Sequence, residues 1–192
     1  MKNKKLKIAL LLIGLGFNLG AQAASYKIDT QGMHAFIQFK IKHLGYSWVL
    51  GDFKKFEGSF EFDENKPDES KVEVSIETAS VETNHAERNK HLRGSSFLDS
   101  KQFPTAKFVS RSFKQISADK ALLTGDLTLH GVTKSVNIDV DYIGRGKDPW
   151  GGYRAGFSGT TIIALADYNI LTNLGDASKE VNLFFSIEGI RQ

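Results

Sequence analysis

The residues best suited to chemistry lie in a polar stretch, NHAERNKHLR (84–93), between segments that alternate apolar and polar residues. Its two histidines, His85 and His91, are the types that ligate zinc. Two ligands on one helix face are expected at i and i+4, whereas this pair is six apart and diverges by about 240° around a helix. The spacing argues against a metal site formed by this pair.

Other catalytic patterns are also missing from the sequence. The chain has no cysteine, which excludes disulfides, thiolate ligands and cysteine nucleophiles. It has neither a G-x-S-x-G elbow for a serine nucleophile nor a phosphate-binding P-loop. His34, His43 and His130 lie near expected strand ends without the spacing of a ligand triplet. We therefore predict no catalytic residue, no metal and no other cofactor.

The polar stretch itself has the signals of a short helix. Asn84 can cap its start, Glu87 falls where a capping carboxylate is expected, and Gly94 can end it after Arg93. The sequence predicts a helix of two to three turns over 84–93, inserted between strands.

Period-two alternation dominates the chain after Tyr26. It is clearest in AFIQFKIK (35–42), FEGSFEFD (56–63) and KVEVSIET (71–78). Turn-forming segments such as DENKPDES and NLGDASKE separate the alternating runs. This pattern predicts an all-β domain, either an antiparallel sandwich or a barrel. Further strands are predicted over 26–30, 105–113, 122–129, 135–143, 154–165 and 181–190.

The first 23 residues have the composition of a signal peptide. MKNKKLK is cationic, IALLLIGLGF is apolar but too short for a lasting membrane span, and AQA (21–23) offers small residues for cleavage. We predict a leader over 1–23 and one domain over 24–192, free in the periplasm. No other apolar run has transmembrane length, so no stable membrane anchor is expected.

Without the leader, the charge of the chain is close to neutral. Four lysines lie in the leader, so 21 of the 25 basic residues remain beside all 22 acidic residues once it is removed. A near-neutral surface of mixed sign lacks the basic patch that nucleic-acid binding needs. Nucleic acid is therefore not expected as a partner.

The strands are unusually rich in bulky apolar residues. Thirteen of the fourteen phenylalanines lie beyond the leader, and Ile162-Ile163 and Phe184-Phe185 are apolar on successive residues. Both faces of those strands must therefore be shielded from water. A filled core with outside packing and a ligand cavity both satisfy this requirement, because an eight-stranded barrel either fills with side chains or holds one small ligand.

The segment VETNHAERNKHLRGSSFLDSKQFP (81–104), together with HLGYSW, GDLTLHGVTK and NLGDASKEVNL, resembles the YceI family of lipocalin-like periplasmic proteins. Its most specific part is the run Thr-(x)4-Arg-Asn-x-His-Leu-Arg from Thr83 to Arg93. The resemblance implies an extended eight-stranded antiparallel β-barrel with a short connector helix near its opening. It also implies an apolar channel that accommodates a polyisoprenoid chain.

One stretch departs from the family pattern. Many members have Arg-x-Asp-aromatic-Gly before the final strands, whereas this chain reads LADYN, with Leu165 for the arginine and Asn169 for the glycine. Asp167 and Tyr168 match. A ligand head group held by that arginine in relatives is therefore not expected to be held in the same way here.

The resemblance and the alternation together predict the ligand site. The inward face of the strands is expected to form the channel and to contact an isoprenoid lipid, such as a quinone, a polyprenol or its phosphate. Near the opening, Arg88, His91 and Arg93 are predicted to meet a polar or anionic head group, or alternatively to cap the helix. The predicted channel residues are Phe39, Ile41, Phe60, Phe62, Val74, Ile76, Phe108, Leu127, Leu129, Phe157 and Ile163.

The function predicted from the sequence is that of a soluble periplasmic carrier or binding protein, not an enzyme. One alternative is a structural or stress-related protein with a filled barrel. Another is an enzyme acting on a prenyl lipid, with His43 or His91 as its general base. The aromatic loop DPWGG (148–152), with Trp150, is a candidate surface for a homodimer.

Overall fold

A computed structural model describes residues 23–172 and 174–192 of the chain. The predicted leader lies outside the described residues, apart from Ala23. Within those ranges, no helix has the length and apolarity needed to cross a bilayer. The domain boundary at residue 24 stays a prediction.

Eleven β-strands and one α-helix form the described structure. The helix, α1, spans Ala86–Arg93, and short 3₁₀ helices occupy Pro67–Glu69, Thr78–Ser80, Leu165–Tyr168 and Asp176–Ser178. The strands are β1 (Ala24–Ile28), β2 (Phe36–His43), β3 (Ser47–Phe53), β4 (Phe56–Phe62), β5 (Lys71–Glu77), β6 (Val81–Glu82), β7 (Thr105–Gln115), β8 (Lys120–Leu129), β9 (Val132–Lys147), β10 (Tyr153–Ala164) and β11 (Glu180–Arg191).

The strands close into an antiparallel barrel. Around the ring the order is β1-β4-β5-β7-β8-β9-β10-β11, and β1 pairs with β11 to close it. Tyr26 lies opposite Arg191 at this junction, and Ile28 lies opposite Gly189. The prediction of an eight-stranded all-β barrel with one short helix is confirmed, and the sandwich alternative is wrong.

Three of the ring positions are occupied by strands that break and resume. β2 continues the line of β1, β3 leads into β4, and β6 continues β5. β2 pairs with the first half of β11, β3 pairs with β2, and β6 pairs with β3. Breaks at residues 29–35, 54–55 and 78–80 separate the halves. β2, β3 and β6 therefore extend the barrel wall beyond the pairs formed by β1, β4 and β5. The helix α1 follows β6 and covers the same end, called here the helical end.

Alternation along each strand decides which side chains enter the barrel. On β8, Ala121, Leu123, Leu127 and Leu129 are buried, while the residues between them are more accessible. Gly125 occupies the remaining inward position of this row. A Cβ there would lie 2.4 Å from the Phe108 ring, so glycine leaves the space that this ring fills.

The helix begins two residues later than its sequence predicts. His85, not Asn84, is the N-cap, and its Nδ1 accepts a hydrogen bond from the Arg88 N–H at 3.1 Å. Asn84 instead adopts a left-handed conformation with φ of 60°, which asparagine tolerates better than most residues. The helix ends at Arg93 as predicted, and the Gly94 N–H donates to His91 O at 2.9 Å.

Candidate functional site

An apolar cavity of about 250 Å³ lies inside the barrel. At the helical end its boundary includes Leu92 of α1 and Leu174, and at the other end it includes Phe113 and Ser70. Leu123 and Leu129 of β8 both line it, which alone corresponds to about 20 Å along the strand. The cavity therefore follows the barrel axis over most of its length.

All eleven apolar residues predicted to form the channel line this cavity. Phe39 and Ile41 of β2 and Ile163 of β10 lie towards the helical end, whereas Phe62 and Phe157 lie towards the other end. These residues come from β2, β4, β5, β7, β8 and β10, and on each of these six strands they lie on the side that faces the cavity. Their contact with a ligand stays a prediction.

Several cavity residues were missed from the sequence. Leu183, Phe185 and Ile187 alternate along β11 and could have been found by the same pattern, but Phe184 beside them obscured it. Residues from loops and strand ends carry no periodic signal at all, because only the folded chain brings them to the barrel. They include Phe53, Val81, Phe97, Leu98, Ile170 and Leu174.

An aromatic cluster lies in the barrel at the end away from α1. The Phe157 ring contacts Phe60 and Phe62 edge to face, with centroids 5.5 and 5.1 Å apart, and lies 5.3 Å from Tyr142. Edge-to-face pairs are favourable beyond the area that they bury. Phe60, Phe62 and Phe157 all line the cavity, so this cluster forms part of its wall.

The polar motif from Thr83 to Arg93 anchors α1 instead of facing the cavity. Asn89 is buried, and its Oδ1 accepts hydrogen bonds from the Thr83 N–H at 2.9 Å and the Thr83 hydroxyl at 2.7 Å. The Arg88 guanidinium donates to the Thr83 hydroxyl at 2.8 Å and to the Thr83 carbonyl at 2.5 Å. The motif therefore fixes α1 against the end of β6.

The three predicted head-group residues do not line the cavity. Arg88 is engaged with Thr83, His91 is exposed, and Arg93 is half-buried; among the described residues of α1, only Leu92 borders the cavity. The alternative interpretation, in which these polar residues serve the helix, describes Arg88 correctly. The partner of Arg88 is Thr83, the residue that follows β6.

Loss of the Asn89 amide is expected to destabilise the fold. Asn89→Ala leaves the buried N–H and hydroxyl of Thr83 without this acceptor, at a cost of about 1–3 kcal/mol in the free energy of unfolding. Urea titration measures the difference. Lys90→Ala, an exposed neighbour on the same helix, should change stability by no more than about 0.5 kcal/mol. Equal stability of the two variants would contradict this role for Asn89.

The divergent LADYN segment closes part of the helical end. Leu165 begins a 3₁₀ helix and lines the cavity, at the position where the family pattern has arginine. Asn169, at the glycine position, is left-handed with φ of 57°, a conformation open to both residue types. Tyr168 is 1% exposed, and burial, assisted by the Asp167 carboxylate, raises its pKa to about 12. Its hydroxyl therefore stays neutral.

A second polar cluster lies on the barrel wall, where strands β1, β10 and β11 meet. Arg154 Nη1 donates to Asp29 at 2.7 Å and to Glu188 at 2.5 Å, and its Nε donates to Asp148 at 2.8 Å. A hydrogen bond with His34, opposed by burial and reinforced by Arg154, lowers the pKa of Asp29 to about 2. This network joins segments that are far apart in the sequence.

The same cluster contains a potential metal-ligand set that the sequence did not reveal. Ligand atoms of Asp29, His34 and Glu188 lie within 4.8 Å of one another. Arg154 already donates to both carboxylates, so their negative charge has a counter-ion within the protein. We interpret the cluster as a structural ion-pair network.

Trp150 lies beside this network in the DPWGG loop. It is exposed, and the Arg154 guanidinium lies 5.5 Å from its ring centroid. The loop is closed by hydrogen bonds from the Trp150 and Gly152 N–H groups to Asp148. Its use as a dimer surface stays a prediction.

Comparisons with known proteins agree with the barrel fold. A model of the YceI-like domain matches residues 26–189. A relative from Ectopseudomonas mendocina, named UPF0312 protein, is 56% identical over 190 residues, covering 97% of this chain and all of the relative.

Two solved structures share the fold. A Campylobacter jejuni YceI protein is 31% identical with a TM-score of 0.71, covering 79% of this chain and 90% of its own. A domain from Saccharophagus degradans, described as polyisoprenoid binding and implicated in plant cell wall breakdown, is 16% identical with a TM-score of 0.65. That match covers 88% of this chain and 99% of the domain, and at this identity it shows likeness of fold alone.

Proposed function

The chain belongs to the YceI-like family, and from that premise we propose that it binds an isoprenoid lipid inside its barrel and carries it through the periplasm. The observation that carries the proposal is the apolar cavity, which follows the barrel axis and is lined by the inward faces of the strands. A filled barrel would leave no such space. The S. degradans domain, which shares this fold, is described as polyisoprenoid binding, and the proposal assigns the same class of ligand to this chain.

The size of the cavity sets how much of a lipid it takes without rearrangement. An apolar cavity of about 150 Å³ is known to hold benzene, which has six carbons. By proportion, 250 Å³ holds about ten carbons, or two isoprene units. A longer chain needs aromatic side chains to turn aside, or extends beyond the barrel. Each buried methylene contributes roughly 0.8 kcal/mol, so even two units supply substantial affinity.

The lining favours a ligand with a neutral end group. No lysine, arginine or histidine is among the described residues that line the cavity, and its only acidic residue there is Glu61, which pairs with Lys71 at 3.3 Å. A phosphate brought into this space would lose its hydration without gaining a counter-ion, which is strongly unfavourable. We therefore propose a quinone or an unphosphorylated polyprenol over a polyprenyl phosphate.

Binding accounts for the site better than catalysis does. His43 and His91, the two histidines considered as general bases, are exposed and do not line the cavity. The polar side chains that reach it are Glu61, Ser70, Ser158 and Thr161. None of them is joined to another in a hydrogen-bonded pair of nucleophile and base among the described contacts. The proposed role is therefore to sequester and release a lipid.

Extraction of the native protein tests the proposal. The mature chain, purified from a periplasm without detergent, is extracted with organic solvent and analysed by mass spectrometry. We expect a neutral isoprenoid at close to one molecule per barrel. Extracts from a periplasmic protein of similar size, purified in parallel, control for carried-over membrane lipid. A folded protein that yields no isoprenoid and takes up neither added quinone nor polyprenol would contradict the proposal.

A further inference from the structure

The hairpin formed by β2 and β3 exposes an unusual number of large apolar side chains. Tyr46 at its tip is 89% exposed and Leu50 on β3 is 66% exposed. Trp48 lies between them, and its ring is also accessible. Large exposed apolar patches commonly mark surfaces that contact a protein or a membrane.

The turn of this hairpin has a residue that turn geometry disfavours. Leu44 and Gly45 both have positive φ, 52° and 85°, and the Tyr46 N–H donates to His43 O at 2.9 Å. Asparagine, aspartate or glycine normally occupies the first of these positions, since side chains such as leucine are strained there. Leu44 is nevertheless 56% exposed, so burial in the barrel does not explain its presence.

The charged side chains of the hairpin are basic, apart from Asp52 near the end of β3, which pairs with Lys54 at 2.6 Å. The sequence contains no aspartate or glutamate from Thr30 to Gly51. Lys40 and Lys42 point to the same outer face, with their ammonium groups 4.8 and 5.7 Å from the Trp48 ring centroid. The nearby Asp176 pairs with Lys179 at 2.7 Å, so it adds no uncompensated negative charge.

The inner face of the same hairpin borders the cavity. Phe39 and Ile41 of β2 line it, in alternation with Lys40 and Lys42 on the outside. The Ser178 hydroxyl donates to the Lys42 carbonyl at 2.5 Å, which fastens the segment after Leu174 to the hairpin. A surface that contacts the hairpin therefore lies next to the helical end of the cavity.

We propose that the β2–β3 hairpin docks reversibly on an anionic lipid bilayer, with Leu44, Tyr46, Trp48 and Leu50 entering the interface and Lys40 and Lys42 meeting acidic head groups. Tyrosine and tryptophan are the residues favoured at the boundary between acyl chains and head groups, and lysines beside them add attraction to anionic lipid. Docking places the helical end of the barrel at the membrane. The role of this docking in lipid exchange rests on the proposed function. The docking itself can be measured whether or not the protein carries a lipid.

A second copy of the chain fits this surface less well. A two-fold contact places the same patch on both sides, which would bring Lys40 and Lys42 of each copy against those of the other. An anionic bilayer offers both the apolar interior and the opposite charge. The membrane is therefore the partner that the patch favours.

Sedimentation with vesicles tests this docking. The mature protein is mixed with vesicles of phosphatidylcholine alone or with added phosphatidylglycerol, at low and high salt. We expect binding to the anionic vesicles at least about fivefold stronger than to the neutral ones, and a weakening by salt. Leu44→Asn should lower binding while leaving thermal stability equal or higher, because asparagine suits the turn. Leu44→Asn with Tyr46→Ser and Leu50→Thr should reduce binding to background.

Ile116→Asn is the matched control. Ile116 is 65% exposed in the turn between β7 and β8, at the opposite end of the barrel, so its loss should leave vesicle binding unchanged. Equal binding by the wild type and the triple variant would overturn the docking proposal, as would an equal loss in Ile116→Asn. A wild-type dimer that the triple variant dissociates, without vesicle binding, would assign the patch to a second copy instead. These outcomes do not depend on whether the protein yields a lipid on extraction.

Discussion

Replacing Leu127 with tryptophan is expected to abolish isoprenoid binding in a folded protein. Leu127 points into the middle of the cavity from β8, directly opposite Phe108 of β7 in the strand register. The indole would occupy the volume that the ligand chain needs. If it displaces about four methylene groups, the loss of roughly 3 kcal/mol corresponds to more than a hundredfold in Kd.

The measurement is a titration of delipidated protein with a fluorescent or radiolabelled ten-carbon prenol. Overpacking itself costs about 1–3 kcal/mol of stability, so thermal unfolding must confirm that the variant is folded under the conditions of the titration. Thr128→Trp adds the same side chain to the next residue, on the outer face, and should bind like the wild type. Unchanged affinity in folded Leu127→Trp would show that the lipid does not enter this cavity.

Loss of Arg154 is expected to destabilise the barrel more than loss of any exposed arginine. Its guanidinium donates to Asp29, Asp148 and Glu188, of which Asp29 is 5% exposed. Arg154→Met keeps much of the side-chain volume but leaves Asp29 without its cationic partner. Removing one member of a buried ion pair costs roughly 3 kcal/mol, which urea unfolding at neutral pH would measure.

The pH dependence identifies the cause of this loss. In the wild type the pKa of Asp29 is lowered from 3.8 to about 2, so its contribution to stability is present above 3.8 and is lost as the pH falls towards 2. The hydrogen bond with His34, the largest cause of the lowered pKa, remains in the variant, but removing Arg154 raises the pKa of Asp29, so the variant loses less stability over the same interval. The difference between the two proteins should therefore shrink as the pH falls from 3.8 towards 2.

Arg111 provides the control for this experiment. It forms an exposed ion pair with Asp126 at 2.6 Å, and Arg111→Met should cost no more than about 1 kcal/mol. An Arg154→Met variant no less stable than Arg111→Met, or a difference from the wild type that does not change with pH, would contradict the proposed role of the network.

The alternation of apolar and polar residues predicted which residues of β8 face the cavity, because the alternation arises within each strand. Successive side chains of a strand point to opposite faces, so an apolar residue such as Leu127 fixes the direction of its neighbours two residues away. The same logic failed on β11, where Phe184 and Phe185 are both apolar and only one can point inwards. Phe185 lines the cavity, while Phe184 is 41% exposed beside the β2–β3 hairpin.

The motif in α1 shows the opposite case. Arginine and histidine at a predicted opening suggested head-group recognition, since their side chains suit anions. In the fold, however, Thr83 and Asn89 are buried, and their hydrogen bonds fix the position that Arg88 takes. Residue type alone does not separate a ligand-binding arginine from a structural one, because both roles use the same donors.

The all-β class, the resemblance to a barrel family, the alternation that places residues such as Leu127 inside and the short helix ending at Arg93 could all be predicted from the sequence. Each of these depends on neighbours within a few residues or on a contiguous motif. The closure of the ring between β1 and β11 and the loops that border the cavity became visible in the folded chain alone. The fold also joins Arg154 to Asp29, 125 residues away. Such contacts arise from the closure of the whole sheet, and no local periodicity encodes them.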